Sequence, residues 1–177
     1  VLDRLRLSKF LTGIVLATTT SKSDDVLCQI ASKENIPFFR GSENNVFLRV
    51  SNAHKMMKSD LLITVCGDCP MIDPFMIDLS IQQFLNNKLD IMTFRKNHNF
   101  PQGIEFHIFS SQIFHNPVSF IQKKSYEEHV GLYFFENFKN YKISYFKEFY
   151  KQSYNTIRLQ FDYNEDLIFL NFLYPIL

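Results

Sequence analysis

The chain has 177 residues, with 19 Lys and Arg set against 18 Asp and Glu. A net charge of +1 with both signs interspersed carries no nucleic-acid footprint, and no apolar run of about 18 residues provides a helical membrane span. At 46% hydrophobic and 16% aromatic residues, the composition points to a packed globular core rather than a disordered chain. Three cysteines, Cys28, Cys66 and Cys69, give no even disulfide framework, and a reduced cytoplasm fits them best.

Val1–Phe10 reads as the end of an amphipathic helix rather than a signal peptide, so the chain is expected to begin inside a fold. Its closing NFLYPIL also stops abruptly. Ile14–Thr18 predicts a short buried strand. Ser23-Asp24-Asp25 then caps a helix to about Lys33, with Val26, Leu27 and Ile30 on one face. Ile36–Phe39 is extended. Asn44 to about Met57 is helical, with Val46, Val50 and Met56 spaced for one face.

Leu61–Val65 is the next strand. It runs into Gly67-Asp68 and two prolines, Pro70 and Pro74, before a helix over Phe75–Phe84. Leu89–Phe94 and Glu105–Phe109 are strands, the second following a Pro101–Gly103 turn. Tyr126–Phe138 predicts a helix, Ile143–Phe146 a strand, Ile157–Phe161 a final strand, and Asn164-Glu165-Asp166 the opening of the last helix. Strands alternating with helices predict one α/β sandwich domain over residues 1–177, with part of the sheet antiparallel.

The stretch LLITVCGDCPMID, Leu61 to Asp73, carries the strongest site signal. Asp68 stands at the C-terminal edge of a buried strand, where open α/β sheets bind ligands. Asp162 follows a second apolar stretch. Two such carboxylates meeting in space can hold a Mg²⁺ that neutralises phosphate oxygens; taken singly, each is a helix cap or a turn residue. Cys66 and Cys69 form a CxxC between strand and helix, the placement of a thiol redox pair or of two small residues in a crowded turn. Arg40-Gly41 precedes a helix whose start can host an anion or a base edge; a plain loop arginine is the alternative. His129 lies in EEHVGLY, where an isolated histidine is most simply structural.

Taken in order, these segments resemble the cytidylyltransferase-like family of spore coat polysaccharide biosynthesis protein F. That family is related to the synthetases of CMP-activated octulosonate and sialic acids. FFRGSENNVFLR resembles "FRGSEDDVLDR", TVCGDCPMIDPFMID resembles "TGDCPLIDPxxID", NFPQGIEFHIF resembles "TFPxGLDxEVF", YEEHVGLY resembles the "REHV" segment, and IRLQFDYNEDL resembles "RLTVDTPEDL". The resemblance implies a three-layer α/β/α nucleotidyltransferase with a mostly parallel mixed sheet. It implies Mg²⁺ held by Asp68 and Asp162, nucleotide contacts from Arg40, Gly41 and Gly67, and His129 and Arg158 near the sugar or its carboxylate. The reaction implied is transfer of CMP from CTP to a sugar or sugar acid, with a homodimer one assembly open to it.

The chain departs from the family pattern at Asn45 for Asp, His107 for Glu and Glu127 for Arg. The family's opening strand and its "ARxGSxRLPGK" phosphate loop are also missing, so the 177 residues alone are expected to aggregate and to turn over no CTP. Two other readings follow from the residues: a non-catalytic fragment or sugar-nucleotide-binding module, and a thiol redox protein using Cys66 and Cys69.

Overall fold

The computed structural model describes residues 1–94, 98–115, 121, 123–146 and 152–176. The chain divides into two compact units. One comprises Val1–Leu11, Ile63–Ile108 and Ile143–Leu177, and the other Thr12–Leu62 and Phe109–Lys142.

The second unit is built on a parallel pair, β1 (Leu16–Thr19) and β2 (Phe38–Gly41), in register from Leu16 opposite Phe38 to Thr19 opposite Gly41. A parallel pair needs a crossover, and α2 (Asp25–Lys33) supplies it. The face predicted for α2 is not the buried one: Val26, Leu27 and Ile30 are 54%, 40% and 46% exposed, whereas Cys28 and Ala31 are buried. Small side chains one turn apart let the helix lie close to β1, which it contacts. The large residues are left outward.

Asp24 closes the β1–α2 turn. Its Oδ2 accepts from Thr18 Oγ1 at 2.7 Å, Thr19 Oγ1 at 2.7 Å and the Thr19 amide at 3.0 Å. The Thr19 hydroxyl, then that of Thr18, holds this carboxyl well below the usual range.

Helix α3 (Val46–Met57) buries Phe47, Ser51, Ala53 and His54, while Met56 is exposed. Phe47 packs with Phe114 of α5 (Ser111–His115) at 4.8 Å between ring centroids, and Phe114 with Phe109 at 5.1 Å and Phe134 at 5.8 Å. All four rings lie below 2% exposure, and this cluster absorbs part of the unusual phenylalanine content. The helix predicted over Tyr126–Phe138 is two short ones, α6 (Lys124–Glu128) and α7 (Leu132–Glu136). They are separated at Gly131, whose φ of +98° no helix accommodates.

Beside this cluster lies a chain of polar contacts. Ser51 Oγ stands 2.9 Å from His115 Nδ1, His115 Nε2 3.1 Å from His54 Nδ1, and His54 Nε2 2.8 Å from Ser59 Oγ, which donates to the Leu61 carbonyl at 3.1 Å. Only one assignment satisfies every atom. Ser59 spends its proton on Leu61, so His54 Nε2 donates to Ser59. His54 Nδ1 then accepts from His115 Nε2, and His115 Nδ1 accepts from Ser51. Both rings must be neutral.

Burial pushes both histidines below their ordinary value, and for His115 the neighbouring His54 adds to it. The unfolded chain takes up these protons below about pH 6.5. The stabilisation is therefore complete above that pH and is lost as pH falls through the lower folded values. The melting temperature is expected to drop between pH 7.5 and 5, and His115→Asn is expected to shrink the drop. Equal drops in both proteins would show that the pair does not govern it.

A four-stranded sheet, most of it in the first unit, is ordered β3 (Leu61–Val65), β5 (Phe106–Ser110), β4 (Ile91–Thr93) and β6 (Ile143–Tyr145), with β4 and β6 parallel. β3 matches its predicted bounds. Helix α4 (Pro74–Asn86) starts at Asp73, whose Oδ1 accepts from the Phe75 amide at 2.9 Å, with Pro74 in the first turn. Helix α1 (Leu2–Leu5) is anchored in the same unit by Arg4 Nε on the Ile72 carbonyl at 2.6 Å.

Ile157–Phe161 is not a strand. It makes one parallel bridge, Arg158 with Gln102, flanked by Gln102 N to Ile157 O at 2.9 Å and Leu159 N to Gln102 O at 2.8 Å. Helix α8 (Asn164–Leu173) follows. Among the described residues no helix is long and apolar enough to cross a membrane.

Candidate active site

The site grows out of two chain turns in the first unit. At the end of β3 the Cys69 amide donates to the Cys66 carbonyl at 3.2 Å, closing a turn with Gly67 and Asp68 at its tip. Gly67 is exposed and a Cβ there would meet nothing within 4 Å, so this glycine leaves open space rather than relieving a clash. The second turn precedes α8. The Phe161 amide donates to the Asp68 carbonyl at 2.8 Å, tying the two turns together.

The side chains meet as well. Gln160 Nε2 donates to Asp68 Oδ2 at 2.8 Å and stands 3.5 Å from Asp162 Oδ1, so one amide nitrogen reaches both carboxylates. Arg158 Nη2 donates to Asp162 Oδ2 at 2.7 Å and to Asp166 Oδ2 at 3.3 Å. Asp166 also accepts from the amides of Asp162 and Tyr163, both at 2.9 Å. These two amides, with Arg158, hold the Asp166 carboxyl below its usual range.

Gly103 makes the arrangement sterically feasible. It sits at φ +91°, and a Cβ there would fall 2.4 Å from the Gln160 nitrogen. A groove of about 170 Å³ lies in the same unit, lined by Gly67, Pro70, Met71, Phe161, Leu167 and Leu170 among others.

Asp68 and Asp162 are thus brought together, the meeting the sequence suggests, with Gly67 beside Asp68; Arg158, for which the resemblance implies a place near the sugar, meets Asp162 and Asp166. Arg158 is engaged by two carboxylates, which orient Asp162. Arg40, Gly41 and His129 belong to the second unit. Each nitrogen of the Arg40 guanidinium makes a bond within it: Nε donates to the Thr19 carbonyl at 2.8 Å, Nη2 to the Ser21 carbonyl at 2.7 Å and Nη1 to Asp25 at 2.7 Å. Gly41 leaves room for Phe39 and Arg49, which a Cβ would approach at 2.9 and 3.0 Å. His129 is exposed at the end of α6, its amide bonded to the Ser125 carbonyl.

The departures at positions 45 and 127 meet each other. Asn45 Nδ2 donates to Glu127 Oε1 at 3.0 Å, while Asn45 Oδ1 caps α3 through the Leu48 amide at 2.8 Å. His107, the third departure, lies 2.7 Å from Thr93 Oγ1, and burial pushes it down to about 4.

Among the described residues no group of three or more His, Cys, Asp or Glu is placed to hold a metal. The donor set of Asp68 and Asp162 nonetheless fits Mg²⁺, which binds through one or two carboxylates and completes its shell with water and substrate phosphates. Gln160 already puts partial positive charge between them.

Cysteine 69 is buried and its thiol lies 3.4 Å from Asp68 Oδ1, whereas Cys66 is exposed. The contact between the two thiols lowers Cys66 and, with burial, raises Cys69. The turn needs small side chains here, so Cys66→Ser and Cys69→Ser are expected to leave nucleotide turnover within about tenfold. A reversible Cys66–Cys69 disulfide, together with lost function in either variant, would favour thiol chemistry instead.

A family model described as cytidylyltransferase matches residues 1–171. The chain belongs to the cytidylyltransferase family. It is 30% identical over 168 residues to an uncharacterized protein of Methanocaldococcus jannaschii, covering 94% of this chain and 67% of that one. It is 28% identical over 164 residues to the spore coat polysaccharide biosynthesis protein SpsF of Bacillus subtilis, covering 92% and 67%.

Its structure is similar to that of a cytidylyltransferase from Leptospira borgpetersenii, with a TM-score of 0.86 and 30% identity over 94% of this chain and 70% of that one. A CMP-2-keto-3-deoxy-manno-octonic acid synthetase complexed with CTP shares the fold at a TM-score of 0.60 and 12% identity, over 82% and 76%. The fold class is therefore the α/β class of the cytidylyltransferases.

Proposed function

We propose that the protein transfers CMP from CTP to a sugar or sugar acid, releasing pyrophosphate, in the biosynthesis of a surface polysaccharide. The observation that carries this reading is the convergence of Asp68 and Asp162 on one amide in a chain of the cytidylyltransferase family. The likeness to SpsF supports the polysaccharide setting.

Attack of a sugar hydroxyl on the α-phosphate requires no covalent intermediate on the protein. It needs alignment and neutralisation of charge. Asp68 and Asp162 would hold Mg²⁺, which supplies charge neutralisation on the phosphates when bound. Arg158 and Asp166 fix the orientation of Asp162, and the backbone bond from Phe161 to Asp68 fixes the distance between the two turns. Reduced Cys28, Cys66 and Cys69 suit work in the cytoplasm.

The test is pyrophosphate release by the full-length protein with Mg²⁺, each of the four nucleoside triphosphates and a panel of sugars and sugar acids. Release with CTP, dependent on an acceptor and matched by a CMP-sugar in mass spectrometry, is the expected result. Release that ignores the base, or none with any acceptor, would sink the reading.

A further inference from the structure

We propose that Gln160 is a built-in placeholder for the cation, and that its amide turns over to become a metal ligand. The inference rests on the reading of Asp68 and Asp162 as the Mg²⁺ site and adds a residue to it. Two carboxylates facing each other without a cation repel, and each needs donors. Gln160 Nε2 answers both, at 2.8 Å from Asp68 and 3.5 Å from Asp162. A divalent ion arriving between the same two groups would meet that NH₂ edge unfavourably.

The amide carries its own remedy. Rotation by half a turn about its last bond exchanges NH₂ for Oε1, a hard oxygen donor suited to Mg²⁺. The backbone does not have to move. It is clamped by the close approach to Gly103 and by the Gln102 bonds on either side of Arg158. Arg158 and Gln160 both reach Asp162 through their side chains, at 2.7 and 3.5 Å, so the three groups meet at one place.

The experiment uses the full-length protein and Mn²⁺ as the probe, followed by electron paramagnetic resonance with and without CTP, alongside melting temperatures. Gln160→Leu keeps the size and removes both amide ends. It is expected to weaken Mn²⁺ binding by about tenfold or more, the scale seen when a group supporting a metal ligand is lost. It is also expected to lower the melting temperature of the metal-free chain. Gln160→Glu is expected to melt lower without metal, bind Mn²⁺ more tightly than wild type, and recover its melting temperature at saturating Mn²⁺.

Wild-type affinity and wild-type melting in Gln160→Leu would overturn the proposal while leaving the two-carboxylate site standing, provided Asp68→Asn and Asp162→Asn abolish binding. Unchanged binding in those two variants, or none by the wild-type chain in either condition, would overturn both.

Discussion

Asp68→Ala and Asp162→Ala are each expected to cut CTP-dependent pyrophosphate release by at least about 100-fold in the full-length protein, close to 2.7 kcal/mol of transition-state stabilisation. The expectation follows from placement. The Phe161 amide holds the Asp68 carbonyl at 2.8 Å and Gln160 spans the two carboxylates, so removing either acid would take away one of the two groups proposed to hold Mg²⁺. The two losses should not add. Once one carboxylate is gone, little remains for the second substitution to remove. A double variant about 10⁴-fold down, or either single variant near wild type, would show that the acids act separately. Steady-state kinetics over a range of Mg²⁺ concentrations would read this directly.

Gly103→Ala is expected to cost about 3 kcal/mol or more in stability. Two penalties combine: a positive φ for a residue with a side chain, at about 1–3 kcal/mol, and overpacking of similar size. The obstacle is backbone, since the added Cβ would lie 2.4 Å from the Gln160 nitrogen and 2.7 Å from the Leu159 carbonyl carbon. No rotamer change relieves that. Against a typical total of about 5–15 kcal/mol, such a loss also displaces the stretch that carries Arg158, Gln160 and Asp162. Equilibrium denaturation measures it, and a change under about 1 kcal/mol would mean that the Gln102–Leu159 contact yields easily. Gly67→Ala is the control, because its Cβ would meet nothing within 4 Å.

The legible parts of the fold were those with local causes. Leu61–Val65 is an unbroken run of apolar or β-branched residues ahead of a Gly-Asp turn, and its bounds agree with the structure. Asp73-Pro74 marks the start of α4 through the cap itself. Where tertiary packing decides, the pattern misleads. The stripe of Val26, Leu27 and Ile30 has the right period, but the buried residues are Cys28 and Ala31, whose small size sets how near α2 can approach. Tyr126–Phe138 keeps helical composition across Gly131, and only the observed φ shows the break. Ile157–Phe161 has strand-forming residues, but among the described residues it makes only one bridge.

The acids of the site were readable because each follows an apolar stretch. Gln160 carries no such mark: its reach to Asp68 depends on the backbone bond from Phe161 to Asp68 that joins the two turns. Arg158 was expected to face a sugar. Its spacing of four from Asp162 and eight from Asp166 acquires meaning only when the chain bends into α8 and brings both carboxylates to one guanidinium.

The four-phenylalanine cluster of the second unit sets a schedule for synthesis. Phe47 leaves the ribosome long before Phe109, Phe114 and Phe134, its partners in the packed rings. At about 5–20 residues per second, the nascent β1–α2–β2 segment and α3 spend several seconds with this aromatic face uncovered. A translating chain halted before position 109 should therefore be sensitive to protease and bound by chaperones that capture apolar surface. One carried past position 142, with the exit tunnel cleared, should be protected. The order in which the gene is read, rather than the final stability, then governs when this half of the molecule is most exposed to aggregation.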